Sequence, residues 1–272
     1  MKLLFIHEVN YKSKVIFEMH EFPELLALKG HQIDFLHFPE NAGFKKSRLT
    51  SKMEVISGRV YKDAHLRLIT PPNFGGNFID RLFSTVYMIP VLFRLISQNK
   101  YDAIILYSVP TSGWQAALIA KFRRVPVIYR ALDVSHLLRS GFTKSLVKLA
   151  EKIVYRNVAY ISANNSALGK YCEKNAGKST KIGVNFPPLD LSHFQSVSKN
   201  PELRNKYGIK SDDFVMLFLG TFYEFSGIEK VLESFSINSH PKIKILLVGG
   251  GIHEAGIKQT ISRLNIEGSV IL

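Results

Sequence analysis

The stretch from Ala103 to Tyr129 constrains the fold of this chain more than any other. Ala103–Tyr107 and Val125–Tyr129 are short, continuous apolar runs, and Thr111–Phe122 between them has helical length. A strand that is apolar along its whole length is buried on both faces, so it belongs in a parallel sheet with the helix as crossover. The alternation extends in both directions. Met1–Ile6 reads as a first buried strand, Lys14–Lys29 as a helix closed by Gly30, and Gln32–Phe38 as the next strand. Residues 39–65 are polar and poorly periodic, a loop region with a short strand. His65–Thr70 is a strand stopped by Pro71 and Pro72, and Asn77–Gln98 is a long helix with Pro90 as a point of bending. Lys144–Tyr155 is a basic helix, Val158–Ser162 a strand, Asn164–Asn175 a helix and Lys181–Asn185 a strand.

After Pro187 and Pro188 the pattern restarts. Pro201–Tyr207, Ser226–Phe235 and Ile252–Leu264 read as helices, and Phe214–Leu219, Ile243–Val248 and Ser269–Leu272 as strands. The expected class is α/β, two Rossmann-like parallel-sheet units with helices on both faces. The first spans residues 1–194 and the second 195–272, joined near Phe186–Phe194. The second is incomplete as a doubly wound domain.

Composition narrows the class. Hydrophobic residues make up 46% and charged residues 21% of 272, enough apolar material for a core. That excludes disorder, collagen and coiled coil. Cys172 is the only cysteine, which excludes a disulfide framework and a multi-cysteine zinc site. Ala103–Ala120 is uncharged but holds Ser108, Pro110 and Gly113, and Ile79–Ile96 carries Asp80, Arg81 and Arg94, so neither reads as a membrane span. Leu3–Ile6 is too short for a signal peptide. The expected location is cytoplasmic, soluble or peripheral on the inner face of the cell membrane.

The formal net charge of +14 is unevenly placed. Residues 1–190 hold 27 Lys/Arg against 14 Asp/Glu, and residues 191–272 hold 9 against 8. Such a field favours anionic partners: phospholipid headgroups, phosphorylated acceptors or nucleic acid. Lys144, Lys148, Lys152 and Arg156 recur at helical spacing among Leu146, Leu149 and Val154, a face that fits either solvent or an anionic membrane surface.

Several motifs fail on inspection. Gly177-Lys178-Ser179-Thr180 resembles the end of a P-loop, but the required earlier glycine is Cys172 and a helix precedes it. Gly249-Gly250-Gly251 lacks the last glycine of a dinucleotide fingerprint, where Glu254 stands. It is either a plain strand-to-helix turn or a place where backbone approaches a nucleotide. The nine histidines show no metal-ligand spacing, and no metal or cofactor is expected. Two stretches hold more. A buried strand runs into Arg130 and Asp133, which either pair or cap at the surface or lie at the mouth of a cleft. Strand Phe214–Leu219 leads through Gly220 to Ser226 and Glu229, spaced as an S-x-x-E capping box. That helix start is an ordinary cap or a diphosphate cradle.

Taken in order, these segments resemble a retaining, nucleotide-sugar-dependent glycosyltransferase of family 4, with the two-domain GT-B architecture. Leu26–Phe35 is similar to the family's "L-x-x-x-G-H-x-V" segment, and Val125–Asp133 to the strand that delivers an acceptor-side catalytic motif. Lys181–Phe194, with Ile182, Val184, Asn185, Asp190 and Phe194, is similar to the domain junction. Leu219–Leu232 and Ile245–Gly251 resemble the "G-R-L-x-x-x-K-G-x-x-x-L" and "L-x-I-V-G-x-G" segments of the donor domain.

The resemblance implies transfer of a hexosyl unit from a nucleotide-diphosphate sugar to a glycan or polyprenyl-phosphate-linked acceptor, with no nucleic acid involved. Asp133 would orient hydroxyls and Arg130 would contact an anionic group. Gly220, Thr221, Ser226 and the Gly227 backbone would hold the diphosphate, and Gly249, Gly250 and Gly251 would face the nucleoside. The departures are specific. Leu132 stands at the family's histidine, Thr221 at its phosphate-binding arginine and Ser226 at its lysine. Each lost charge-assisted hydrogen bond is worth about 1.5–3 kcal/mol. The family's acidic E-x₇-E segment is expected beyond Leu272, so the chain by itself is not expected to turn over donor. A nucleotide-sugar 2-epimerase of the same fold, or a non-catalytic remnant or partner subunit, are the other readings.

Overall fold

The computed structural model describes residues 1–39, 50–73, 77–139, 141–188, 191, 197–238 and 241–272, with backbone only for 77–82. They fall into two units, Met1–Asp190 and Leu191–Leu272. Leu189, Asp190 and Phe194 of the expected junction lie outside the described residues.

The strands of the first unit are β1 (Lys2–Ile6), β2 (Gln32–Leu36), β3 (Lys52–Ser57), β4 (His65–Thr70), β5 (Ala103–Leu106), β6 (Val127–Ala131), β7 (Tyr160–Ala163) and β8 (Lys181–Val184). They form one sheet in the order β3-β4-β2-β1-β5-β6-β7-β8. Neighbours pair in parallel except β3, an edge strand that runs antiparallel along β4. The helices are α1 (Glu18–Leu28), α2 (Asn77–Asn99), α3 (Gly113–Phe122), α4 (Gly141–Asn157) and α5 (Ser166–Asn175).

Side chains alternate across a strand, and the two faces of this sheet are covered differently. Leu4, Ile6, Ile104, Leu106, Tyr129 and Ile161 point to one face and pack with Leu92, Ala117, Val154 and Cys172 of α2–α5. Fully burying such a side chain contributes about 1.5–3 kcal/mol. Leu3, Phe5, Ile33, Phe35 and Ile105 point to the other face and meet Met19, Phe22 and Leu26 of α1. The apolar strands call for helices on both faces, and α1 is the helix on this second face among the described residues.

Two sequence boundaries move. Helix α1 starts at Glu18, not Lys14, and Gly30 closes it with φ +85°. Val154 leaves the basic face it was read into: with Val147 and Ala150 it forms the buried stripe of α4.

The second unit comprises α6 (Pro201–Lys206), β9 (Phe214–Thr221), α7 (Ile228–Ile237), β10 (Ile243–Gly250), α8 (Glu254–Arg263) and β11 (Val270–Ile271). Its strands pair in parallel in the order β11-β10-β9. Ile245 and Leu247 pack with Leu232, Phe235, Ile257 and Ile261 of α7 and α8, while Leu217 and Leu219 on the opposite face are exposed.

Candidate functional site

In open α/β sheets, ligands bind outside the carboxyl ends of the strands. In the second unit that edge is built by the ends of β9 and β10, where Gly220 pairs with Gly249 and Thr221 with Gly250. The approach is tight: a Cβ on Gly249 would overlap the Gly220 carbonyl. The chain then passes through buried Phe222 into a 3₁₀ turn, Glu224–Ser226.

The expected Ser226–Glu229 capping box does not form. Gly227, at φ +70°, is the N-cap of α7, so the helix begins one residue later than a box requires. Ser226 turns back instead. Its hydroxyl accepts from the Tyr223 N–H and donates to the Thr221 carbonyl, both at 3.3 Å. Glu229 turns toward α8, accepting from His253 Nε2 at 3.0 Å and Thr260 Oγ1 at 3.3 Å. The hydrogen bond to His253 holds its carboxyl below the usual carboxylate range. With no side-chain cap on α7, its first N–H groups lie at the positive end of the helix dipole without a side-chain acceptor among the described residues. All seven donor-side positions named from the sequence therefore gather at one edge. Sequence reasoning missed His253, whose partner lies 24 positions away.

The first unit carries the other candidates. Arg130 lies on the same sheet face as Ile128, the side toward α1, so it meets Glu18 rather than Asp133. Arg130 Nε and Nη2 donate to the two Glu18 oxygens at 2.6 and 2.7 Å, and Nη1 donates to Ser162 Oγ at 3.0 Å and the Asn185 carbonyl at 2.6 Å. Tyr107 adds a fifth hydrogen bond, to Glu18 Oε1 at 3.0 Å. Burial works to lower the Arg130 pKa, but the hydrogen bonds and charge of Glu18 raise it. The sequence reading offers Arg130 as a contact for an anionic group; here its guanidinium is engaged with groups of the chain itself. The pair forms the floor of an apolar groove of about 510 Å³ between α1 and Phe186.

Asp133 lies just beyond β6, is exposed, and makes no hydrogen bond with the described residues. It does not cap the following 3₁₀ turn, Ser135–Leu138, whose N-cap is Val134. Beyond β1 lie two residues the sequence did not single out. Glu8 accepts from Ser108 Oγ at 2.6 Å and from the N–H groups of Val109 and Thr111 at 2.8 and 3.0 Å, in the β5–α3 loop. His7 has both ring nitrogens buried without a hydrogen-bond partner among the described residues, and its ring stacks on Tyr107 with ring centres 5.2 Å apart. Burial first, and then the nearby His20 and Lys14, push its pKa down to about 3. Among the described residues no three His, Cys, Asp or Glu side chains form a group that could hold a metal ion. No described helix is long and apolar enough to cross a membrane.

No family model and no curated protein matches the chain in sequence. Solved structures do match in fold. Sucrose-phosphate synthase from Thermosynechococcus elongatus superposes with a TM-score of 0.70 at 15% identity, over 99% of this chain and 69% of its own. Anabaena Alr3699/HepE, solved with UDP and glucose, gives 0.67 at 16% identity over 99% and 68%. The UDP-GlcNAc 2-epimerase of Methanocaldococcus jannaschii gives 0.54 at 14% over 100% and 72%. At such identities the likeness is one of architecture. Two parallel-sheet α/β units in succession are what this chain shares with GT-B glycosyltransferases.

Proposed function

We propose that the protein is a retaining glycosyltransferase that moves a hexosyl unit from a nucleotide-diphosphate sugar to a glycan or polyprenyl-phosphate-linked acceptor at the cytoplasmic membrane face. The observation that carries this reading is the edge of the second unit. There the uncapped start of α7, the Gly220–Gly249 approach and exposed Thr221 converge. It is a surface of backbone N–H groups suited to a diphosphate, on a fold shared with nucleotide-sugar transferases.

In this reading the bond between the sugar C1 and the diphosphate oxygen breaks while the acceptor oxygen bonds to C1 on the same face. The acceptor proton passes to the leaving diphosphate. The protein contributes position and charge. The α7 N–H groups and Gly227 take the diphosphate, and Gly249–Gly251 face the nucleoside. The Ser226 donor is already committed to Thr221, so backbone groups carry what an arginine and a lysine carry in the family. Asp133 orients hydroxyls of the acceptor or of the sugar. Arg130 acts through Glu18, holding α1 against β6.

The test is calorimetric titration with a panel of nucleotide-diphosphate sugars, followed by product analysis with glycan and polyprenyl-phosphate acceptors. Binding with transfer, or binding that requires Gly249, supports the reading. Absence of nucleotide binding overturns it. Conversion of the donor to its C2 epimer without transfer favours the epimerase, which shares the fold.

A further inference from the structure

We propose that the turn Ser135–Leu138 and helix α4 form a docking face for an anionic lipid bilayer. Helix α4 has three faces. Val147, Ala150 and Val154 lie in the core. Phe142, Leu146 and Leu149, spaced i, i+4, i+7, are 79%, 52% and 57% exposed, and Leu137 and Leu138 of the preceding turn are 61% and 57% exposed. Lys144, Lys148, Lys152 and Arg156 wind alongside, all exposed, with Arg139 ahead of them. None of these five cations has an ion pair among the described residues.

An isolated exposed leucine needs no explanation, but five large apolar side chains beside five unpaired cations do. The only acid in residues 135–157 is Glu151, and it does not offset the charge. It is buried, accepting from His136 Nδ1 at 3.0 Å and Tyr171 Oη at 2.8 Å. Between α4 and α5, Lys148, Lys152, Arg156 and Lys174 rim a cleft of about 190 Å³. Apolar side chains suited to the acyl boundary and cations at headgroup level fit an interfacial helix. Charge singles out this face. Helix α2 also exposes Phe83, Val86, Ile89 and Phe93, yet Arg94 is the only charged residue among its described side chains. The surface is independent of the proposed transfer reaction, because vesicle binding is read without donor or acceptor.

The experiment is co-sedimentation of the whole chain with vesicles of equimolar phosphatidylglycerol and phosphatidylcholine, or of phosphatidylcholine alone, at low and high salt. Binding is expected to the anionic vesicles and to fall with salt. Each neutralised cation should weaken it about fivefold, so Lys144→Gln/Lys148→Gln/Lys152→Gln should lose roughly a hundredfold. Phe142→Ser/Leu146→Ser/Leu149→Ser should lose at least about tenfold. Val86→Ser/Phe93→Ser on α2 should bind as the parent does. All substituted residues are exposed, and circular dichroism checks that each variant is folded. Equal binding to neutral vesicles, unchanged binding by both α4 variants, or loss in the α2 variant would overturn the proposal. So would release by soluble glycerol phosphate, which would mark a site for free anions instead of a bilayer.

Discussion

Arg130 and Glu18 stand 112 positions apart and meet through two charge-assisted hydrogen bonds inside the first unit. Their side chains are 7% and 8% exposed. Breaking a buried pair by removing one partner leaves an uncompensated charge, at a cost of about 3–5 kcal/mol. Glu18→Ala should therefore lower the urea midpoint of the first unit strongly. Arg130→Met/Glu18→Leu should recover most of the loss, since apolar replacement of both partners is often neutral. Equal destabilisation by the single and double variants would show that packing, not charge, sets the cost.

Asp133 is the opposite case. It is exposed and makes no hydrogen bond with the described residues, so Asp133→Asn should change stability by no more than about 0.5 kcal/mol. If it orients hydroxyls, an enzyme competent for transfer should lose most of its turnover with an unchanged melting temperature. Normal turnover by the variant would remove Asp133 from the reaction.

Gly249 tests the proposed donor edge. A side chain there must displace the Gly220 backbone, an overpacking that costs about 1–3 kcal/mol. Gly249→Val should open β9 and β10 to hydrogen exchange while leaving β1 and β5 protected. The same variant should lose nucleotide binding.

His7 gives the protein a pH dependence. Its pKa, about 3 when folded against 6.5 ordinarily, means that below pH 6.5 the unfolded chain takes up a proton that the folded chain refuses. The contribution of neutral His7 is full above pH 6.5 and is lost as pH falls toward 3, at up to about 1.4 kcal/mol per pH unit. His20, also lowered chiefly by burial, slopes the same way. Urea midpoints measured from pH 7 to pH 4 should fall more gently in His7→Leu than in the parent. Parallel slopes would mean that His7 titrates normally.

The parts legible in the sequence are those that depend on local pattern. The apolar runs at Ala103–Tyr107 and Val125–Tyr129 could only be buried parallel strands, and they are adjacent strands of the sheet. The meeting of Gly220, Thr221, Gly249 and Gly250 at one sheet edge is legible because glycines and strand ends are neighbours in sequence. The illegible parts turn on single backbone angles or distant partners. Gly227 in a left-handed conformation shifts the start of α7 by one residue, which undoes the capping box spelled by Ser226 and Glu229. The partner of Arg130 follows from which sheet face it occupies, given that Ile128 shares that face, but only once α1 is known to lie there. Glu8 and His7 look unremarkable in sequence because their surroundings are assembled from β5 and its loop, some 100 residues later.

Glu8 has one more consequence. The β5–α3 loop offers a hydroxyl and two N–H groups at a strand's carboxyl end, where a Rossmann-like unit would ordinarily receive a phosphate. The chain has supplied its own occupant. Any phosphate entering that loop of the strongly basic first unit would have to displace a carboxylate already held by three donors. At the start of α7 no side chain among the described residues takes that place. Net charge alone would draw an anion to the first unit, yet self-occupancy fills this loop of it, and of the two strand-end turns the start of α7 in the nearly neutral second unit is the one without a built-in carboxylate.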